Sequence, residues 1–255
     1  IERWCRDGDG IGVWFSLVAA AGPAEWRDRT LHDRRPLARL VELPPAPGTV
    51  ALLCVLIGAA SFDALTATGI WVDVHPRLVD AWLAISYTEA SLETLPAVTG
   101  LVGSILAVAA LYTTGARLMV RLARTGPSGA DAGLLFAGSL VPIAIAYWLA
   151  HGLSLLVFQG QALWWLASDP LGRGWDLFGT ATAVANYGVI APETLWYGQV
   201  LIVVAGHVAG LSIAHQLALR HFSGQSAVAR TQVPMLCVMV ALTTFGLLLL
   251  ASLNA

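Results

Sequence analysis

The sequence predicts an all-α fold, a polytopic bundle of membrane-spanning helices. Of its 255 residues, 57% are hydrophobic and 12% are charged, and the mean hydropathy is +0.71. These values lie outside the range of soluble globular proteins. A helix needs about 20 apolar residues to cross a bilayer. Five stretches reach that length: 49–72, 95–116, 133–158, 195–219 and 232–253.

Residues 1–48 precede the first span and form a segment of their own beside the bundle, 49–255. They contain one short apolar run, IGVWFSLVAAAG, whose length suits a surface or re-entrant helix. The arginine-rich stretch EWRDRTLHDRRPLARL follows, and PPAPG separates it from the first span. The lipid bilayer is the partner that this composition implies, and a formal charge of −2 gives no reason to expect nucleic acid.

Arginine placement predicts the orientation, because basic residues near span ends stay in the cytoplasm. Twelve of the fourteen arginines lie in 1–48, 117–132 and 220–231, whereas 73–94 and 159–194 hold one each. We therefore expect a cytoplasmic N-terminal segment and an outer C-terminus. The basic residues include no lysine, which is typical of a GC-rich genome and points to a bacterial cytoplasmic (plasma) membrane.

The segment 159–194 is too polar to span and is rich in tryptophan. We predict an ordered interfacial or re-entrant excursion on the outer side. DPLGRG has the composition of a turn, and APET has the composition of a helix start. Arg173 is suited to pair with Asp169 or Asp176, or to receive an anionic or phosphoryl group.

Polar residues inside the spans are the candidates for function. An ionised Asp63 would cost at least ~2.5 kcal/mol at mid-span. It either handles a substrate or ion, or has a structural role in which it caps a second half-helix or is protonated and hydrogen-bonded to a neighbour. In the third span His151, Ser154 and Gln161 would share one helical face, with Gln159 pointing elsewhere. The candidate pathway residues are Asp63, Gln159, Gln161 and Gln199.

Histidines recur in the third and fourth spans. Gln199, His207 and His215 are eight residues apart and form a stripe that winds around the helix. Gly206 and Gly210 would let a neighbouring backbone approach, and His207 would then donate to a carbonyl. A divalent metal held by His151, His207 and His215 with Asp169 or Asp176 stays open. Haem is disfavoured, because His207 and His221, fourteen residues apart, would need a matching pair of histidines on a second helix.

Several blocks carry a resemblance to a known family. SLVPIAIAYWLAHGLSLLVFQGQ, SDPLGRGWDLFGTA and TLWYGQVLIVVAGHVAGLSIAHQLAL are similar to the multi-pass actinobacterial membrane proteins of the fenitrothion hydrolase family. The resemblance implies hydrolysis of an apolar aryl phosphorothioate ester, in which water attacks phosphorus and the aryl oxide leaves. His151 and His207 would then be bases or metal ligands. Asp169 and Asp176 would orient them or bind metal, and Arg173 would stabilise the phosphoryl oxygens.

Two other functions fit the same residues. A secondary transporter, or a membrane subunit of one, would need a broken helix near Asp63 and a water-accessible route lined by Asp63, His151 and Gln199. A scaffold subunit would dock partner membrane subunits on the tryptophan-rich excursion, and its polar side chains would only satisfy one another.

Overall fold

The computed structural model describes residues 8–43, 46–85, 89–123, 129–222 and 225–252. Five of its helical stretches are long and apolar enough to cross a membrane: Thr49–Thr66, Thr94–Leu122, Ala137–Ser168, Pro192–His221 and Val228–Ser252. They correspond one to one with the five predicted stretches. The prediction of an all-α, multi-pass membrane bundle is confirmed.

The elements follow one another in a simple order, with two short strands near the beginning. The helices are α1 Gly10–Ala21, α2 Thr49–Thr66, α3 Gly69–Leu83, α4 Glu89–Ala123, α5 Gly129–Leu135, α6 Val141–Phe158, α7 Ala162–Ser168, α8 Pro192–His221 and α9 Gln225–Ser252. The strands are β1 Ala24–Arg27 and β2 Thr30–Asp33. Tight 3-10 turns lie at Ala38–Val41, Ala137–Leu140 and Gln159–Gln161.

The first predicted span, 49–72, is divided into two helices. α2 ends at Thr66, and Thr68 has an extended backbone before α3 begins. The hydroxyls of Thr66 and Thr68 donate to the carbonyls of Asp63 and Leu65, at 2.7 Å each. These bonds satisfy carbonyl groups that a helix end leaves free. The chain therefore breaks inside the apolar run.

Helix α3 corrects the predicted loop over 73–94. It runs from Gly69 to Leu83, and none of its residues is buried. The Trp82 indole donates to Thr99 of α4 at 2.9 Å, and Trp71 packs edge-on against Phe62 of α2. Its acidic residues made the segment too polar to be recognised as a helix, although it packs against the bundle on one side.

The residues before the first span contain a structure that the sequence did not predict. Strands β1 and β2 form an antiparallel hairpin in which Trp26 lies opposite Leu31. Asp28 and Arg29 at its turn have positive φ angles of 51° and 62°. Because hairpin turns of this kind usually contain Gly or Asn, the sequence carried no turn signal here.

Arg34 fixes this hairpin to the end of α1. Its guanidinium donates to the carbonyls of Ala19 and Gly22, at 2.6 and 3.0 Å. The 3-10 turn Ala38–Val41 then packs against the bundle, where Arg220 of α8 donates to the carbonyl of Val41 at 3.1 Å. This contact sets one end of the bundle, which we call the Arg220 end. The predicted orientation rests on the placement of the arginines, and three of these, Arg3, Arg6 and Arg124, lie outside the described residues.

Helices α6 and α8 pack backbone against backbone. A Cβ atom added at Gly206 would collide with the Cβ of Ala146, and one added at Gly210 would lie 2.6 Å from the carbonyl oxygen of Ser139. The predicted close approach at this GxxxG pair is confirmed. Pro192 opens α8 in its first turn, as APET predicted.

Candidate functional site

One ionisable pair joins two spans. Nε2 of His151, on α6, lies 3.2 Å from Oδ2 of Asp63, on α2. Both helices begin at the Arg220 end, so their last turns meet at the opposite end of the bundle. Asp63 lies three residues before the end of α2, at a depth of about 5 Å along the helix. It does not cap α3, so that reading of Asp63 is wrong.

A cavity of about 210 Å³ surrounds this pair. Residues of four spans line it, and many of these residues have small side chains, which leaves space for a ligand. The lining residues are Ala60, Asp63, Ala64, Ala67, Tyr147, Ala150, His151, Ser154, Gln199, Val203, Gly246, Leu249 and Leu250. Asp63, His151 and Gln199, which the sequence placed in three separate spans, therefore line one site.

Gln199 is fixed in the wall of the cavity. Its side-chain amide donates to the carbonyl of Ala150 at 3.0 Å, across the contact between α8 and α6. A polar side chain at this depth needs such a partner. The bond also places the Gln199 amide one residue from His151, beside the ionisable pair.

Tyr147 contributes a polar group to the cavity that the sequence did not single out. It is buried, lies one turn before His151, and donates its hydroxyl to the carbonyl of Leu242 at 3.0 Å. A Cβ atom at Gly246 would collide with that hydroxyl. The tyrosine sits in an apolar stretch that reads as core, so only its position four residues before His151 could have indicated a role.

His207 is buried beside Tyr147 and does not line the cavity. Its Nδ1 donates to the carbonyl of Val203 at 2.8 Å, so the acceptor is a carbonyl of its own helix and not of the backbone that approaches at Gly206. Its ring centroid lies 5.9 Å from that of Tyr147. Nε2 is buried without a hydrogen-bond partner. His207 is therefore a packed histidine of the α6–α8 contact, separate from the Asp63–His151 pair.

The predicted metal-ligand set does not come together. Among the residues that the structure describes, no three His, Cys, Asp or Glu side chains are grouped as metal ligands. His215 faces a different surface depression, near Gln216 and Gln232. The set His151, His207 and His215 is wrong because a step of eight residues turns His215 onto another face of α8 than His207, and because His151, on α6, contacts Asp63 instead.

In the structure the excursion ends at residue 191, because α8 begins at Pro192. The acidic side chains of the excursion accept hydrogen bonds within its own turns. Asp169 accepts the backbone N–H groups of Arg173 and Gly174, at 2.8 and 2.7 Å. Asp176 accepts the hydroxyl of Ser168 and the N–H of Ala181, both at 2.9 Å. The N–H of Ala181 first, and then the Ser168 hydroxyl, lower the pKa of Asp176 below its usual range.

Arg173 pairs with neither acid. Its guanidinium lies over the ring of Trp175, 5.7 Å from the centroid, and no ion pair to it is found within the described part of the chain. The predicted salt bridge in DPLGRG is wrong, since backbone N–H groups already occupy Asp169. The excursion therefore brings neither acid to His151.

The two glutamines after α6 do not line the cavity. Gln161 bonds both backbone groups of Asn186, accepting at 2.9 Å and donating at 3.0 Å, and it also donates to the carbonyl of Val157. Gln159 is exposed. The shared face predicted for Gln161 and His151 is absent because α6 ends at Phe158 and a tighter turn follows. Gln161 holds the excursion in place.

An apolar groove of about 440 Å³ lies on the other side of His151. Almost all of its lining residues belong to α6: Trp148, Leu149, His151, Gly152, Leu153, Leu155, Leu156 and Ile202. Of these residues, His151 alone also lines the cavity. The imidazole thus stands between a polar cavity and an apolar groove. Comparison of the chain with family models, curated proteins and solved structures gives no match.

Proposed function

We propose that this chain is a transporter-like membrane protein, or the membrane subunit of a transporter, in which the Asp63–His151 pair binds a proton or a small cation. The observation that carries the proposal is the 3.2 Å contact between the two side chains in an open cavity between spans. An ionisable residue inside a membrane span is a functional candidate by default. Here two of them touch each other and face the same space.

The chemistry of the pair suits reversible charge uptake. A histidine changes its charge close to physiological pH more readily than any other side chain. Protonated His151 would neutralise Asp63, and neutral His151 would leave the carboxylate available for a cation. The broken helix at Ala67 and Thr68 supports the same function, since transporters often build their sites at interrupted helices.

We propose a bacterial cytoplasmic membrane with the Arg220 end in the cytoplasm. The arginine distribution supports this orientation, because most arginines of the chain lie in segments joined to that end. The cavity would then open toward the outer half of the membrane, near the excursion. An outward-open site of this kind would load from the periplasm or the cell exterior.

A proton-flux assay tests the proposal. The protein is reconstituted into liposomes that contain a pH-sensitive dye, and a potassium diffusion potential drives proton entry. Asp63→Asn should abolish the protein-dependent flux. Asp73→Asn, the same substitution on the exposed face of α3, should leave it unchanged. Equal flux in the parent protein and in Asp63→Asn would remove Asp63 from the site.

A membrane hydrolase is the second candidate, and the position of His151 favours it. The carboxylate of Asp63 contacts the imidazole as an orienting acid contacts a general base, and the apolar groove lies beside it. An apolar ester from the lipid could lie there with its phosphorus next to a water on His151. Of the catalytic residues implied by the family resemblance, His151 is the one that this arrangement supports.

The hydrolase is tested with a nitrophenyl phosphorothioate triester added to the protein in lipid nanodiscs. Release of nitrophenolate that disappears in His151→Gln and falls in Asp63→Asn would support it. Release at the rate of empty nanodiscs would exclude this ester class as the substrate.

A further inference from the structure

We infer that the cavity and the groove together bind an amphiphilic organic cation, with its charged head beside Asp63 and its apolar body along α6. The inference rests on the proposed cation site and names the class of its substrate. It follows from the charge, the shape and the position of the two spaces that meet at His151.

The charge of the cavity selects a cation. Asp63 is the acidic side chain of its lining, and neither arginine nor lysine lines the cavity or the groove. An anion would find no fixed positive charge there, whereas an ammonium group would find a carboxylate. Tyr147 lines the cavity and Trp148 lines the groove, and aromatic rings attract cations.

The groove is suited to a hydrophobic body. Apart from His151, its lining carries no ionisable side chain, and Leu155 and Leu156 are 67% and 69% exposed. Its volume of about 440 Å³ falls within the range of pockets that hold small molecules. A ligand lying here would keep its apolar part in contact with lipid and would place its head at His151.

Lipid tails alone do not account for this surface. The side chains of Asp63 and His151 are 63% and 58% exposed, although both residues belong to membrane spans. His151 contacts one carboxylate oxygen of Asp63, Oδ2, and a hydrocarbon chain over the rest of the carboxylate would supply no hydrogen-bond donor to it, at a cost of several kcal/mol. A cationic head that ends an apolar body satisfies the carboxylate and covers the groove at the same time.

Gly152 provides a way to fill the groove without disturbing the bundle. A Cβ atom added there meets no atom within 4 Å. Gly103, on α4, has the same free space and does not line either site. Gly152→Phe and Gly103→Phe therefore form a matched pair, one inside the groove and one outside it.

Equilibrium binding of radiolabelled dodecyltrimethylammonium, at concentrations that leave the bilayer intact, to the protein in phosphatidylglycerol nanodiscs tests the inference, with empty nanodiscs as the background. We expect saturable binding that dodecanol, which has the same apolar chain without the charge, does not displace. Asp63→Asn and Gly152→Phe should each weaken the affinity about tenfold or more. Gly103→Phe should bind as the parent does. Leu155→Gln, at an exposed position of the groove, replaces Gly152→Phe if that variant fails to fold.

Each other result overturns the inference in a distinct way. Absence of saturable binding, while proton flux still depends on Asp63, would reject the amphiphilic cation and keep the proposed function. Loss of both would reject the proposed function as well. Binding that survives in Asp63→Asn would reject the role of the carboxylate. Displacement when phosphatidylethanolamine is added would show that a lipid ammonium head occupies the site in place of a free amphiphile.

Discussion

His151 and Asp63 face each other across two parallel spans, and their contact is one of the polar links between α2 and α6. Both side chains are more than half exposed. An exposed pair of this type contributes roughly 0–1 kcal/mol to stability. The pair is therefore a weak structural element, and the presence of two ionisable side chains inside the spans is better explained by binding.

This weakness gives a first prediction. Asp63→Asn and His151→Leu should insert and fold, with melting temperatures in detergent within a few degrees of the parent value. Their transport or catalytic activity should nevertheless be lost. A collapse of thermal stability in either variant would show that the pair holds the helices together.

The close contact between α6 and α8 gives a second prediction. Gly206→Leu would force a side chain into the backbone of α6 at Ala146, and overpacking of this kind costs about 1–3 kcal/mol or more. The melting temperature of the bundle should fall clearly. Gly152→Leu, where the added side chain meets free space, is the control. Equal melting temperatures for the two variants would contradict the packing described here.

The glutamines after α6 give a third prediction. Gln161→Leu removes both hydrogen bonds to Asn186, each worth about 1 kcal/mol. Amide hydrogen exchange in residues 162–191 should therefore become faster. Gln159→Leu, at an exposed position two residues away, should not change the exchange. The spans themselves should exchange as before in both variants.

Acid should loosen the excursion through Asp176. The pKa of this carboxyl is lowered in the folded chain. The ionised Asp176 therefore stabilises the fold at neutral pH, and this stabilisation is lost as the pH falls below about 4, the ordinary pKa of an aspartate. Limited proteolysis at 169–191 by an acid-stable protease should increase below that pH. In Asp176→Asn, cleavage should be higher at neutral pH and should depend less on acid. An identical pH profile for both proteins would exclude Asp176 as the cause.

The sequence predicted the fold better than the site. Apolar runs located the five spans, because each must cover about 20 residues of hydrocarbon whatever it packs against. The Gly206 and Gly210 pair predicted a close helix contact for a similar local reason. The hairpin at Asp28 and Arg29 was missed because its turn residues carry no usual turn signal.

Site prediction depended on contacts between distant parts of the chain. The transporter hypothesis grouped Asp63, His151 and Gln199 on one route because each is a costly polar residue in a span, but no spacing in the sequence shows that α2, α6 and α8 bring them to one cavity. Asp169, Asp176 and Arg173 were misread for the opposite reason. Their density in the excursion resembled a reactive cluster, whereas turn N–H groups and Trp175 occupy them.

The backbone contact between α6 and α8 also determines where the cavity can change its width. The contact that Gly206 and Gly210 make with Ala146 and Ser139 has no long side chain that could move, so it holds α6 and α8 at one spacing beside the cavity. Widening or narrowing must come from α2 or α9, on the far side of the cavity. A pair of spin labels, one on α2 and one on α6, would therefore report each bound state as a change in a single distance.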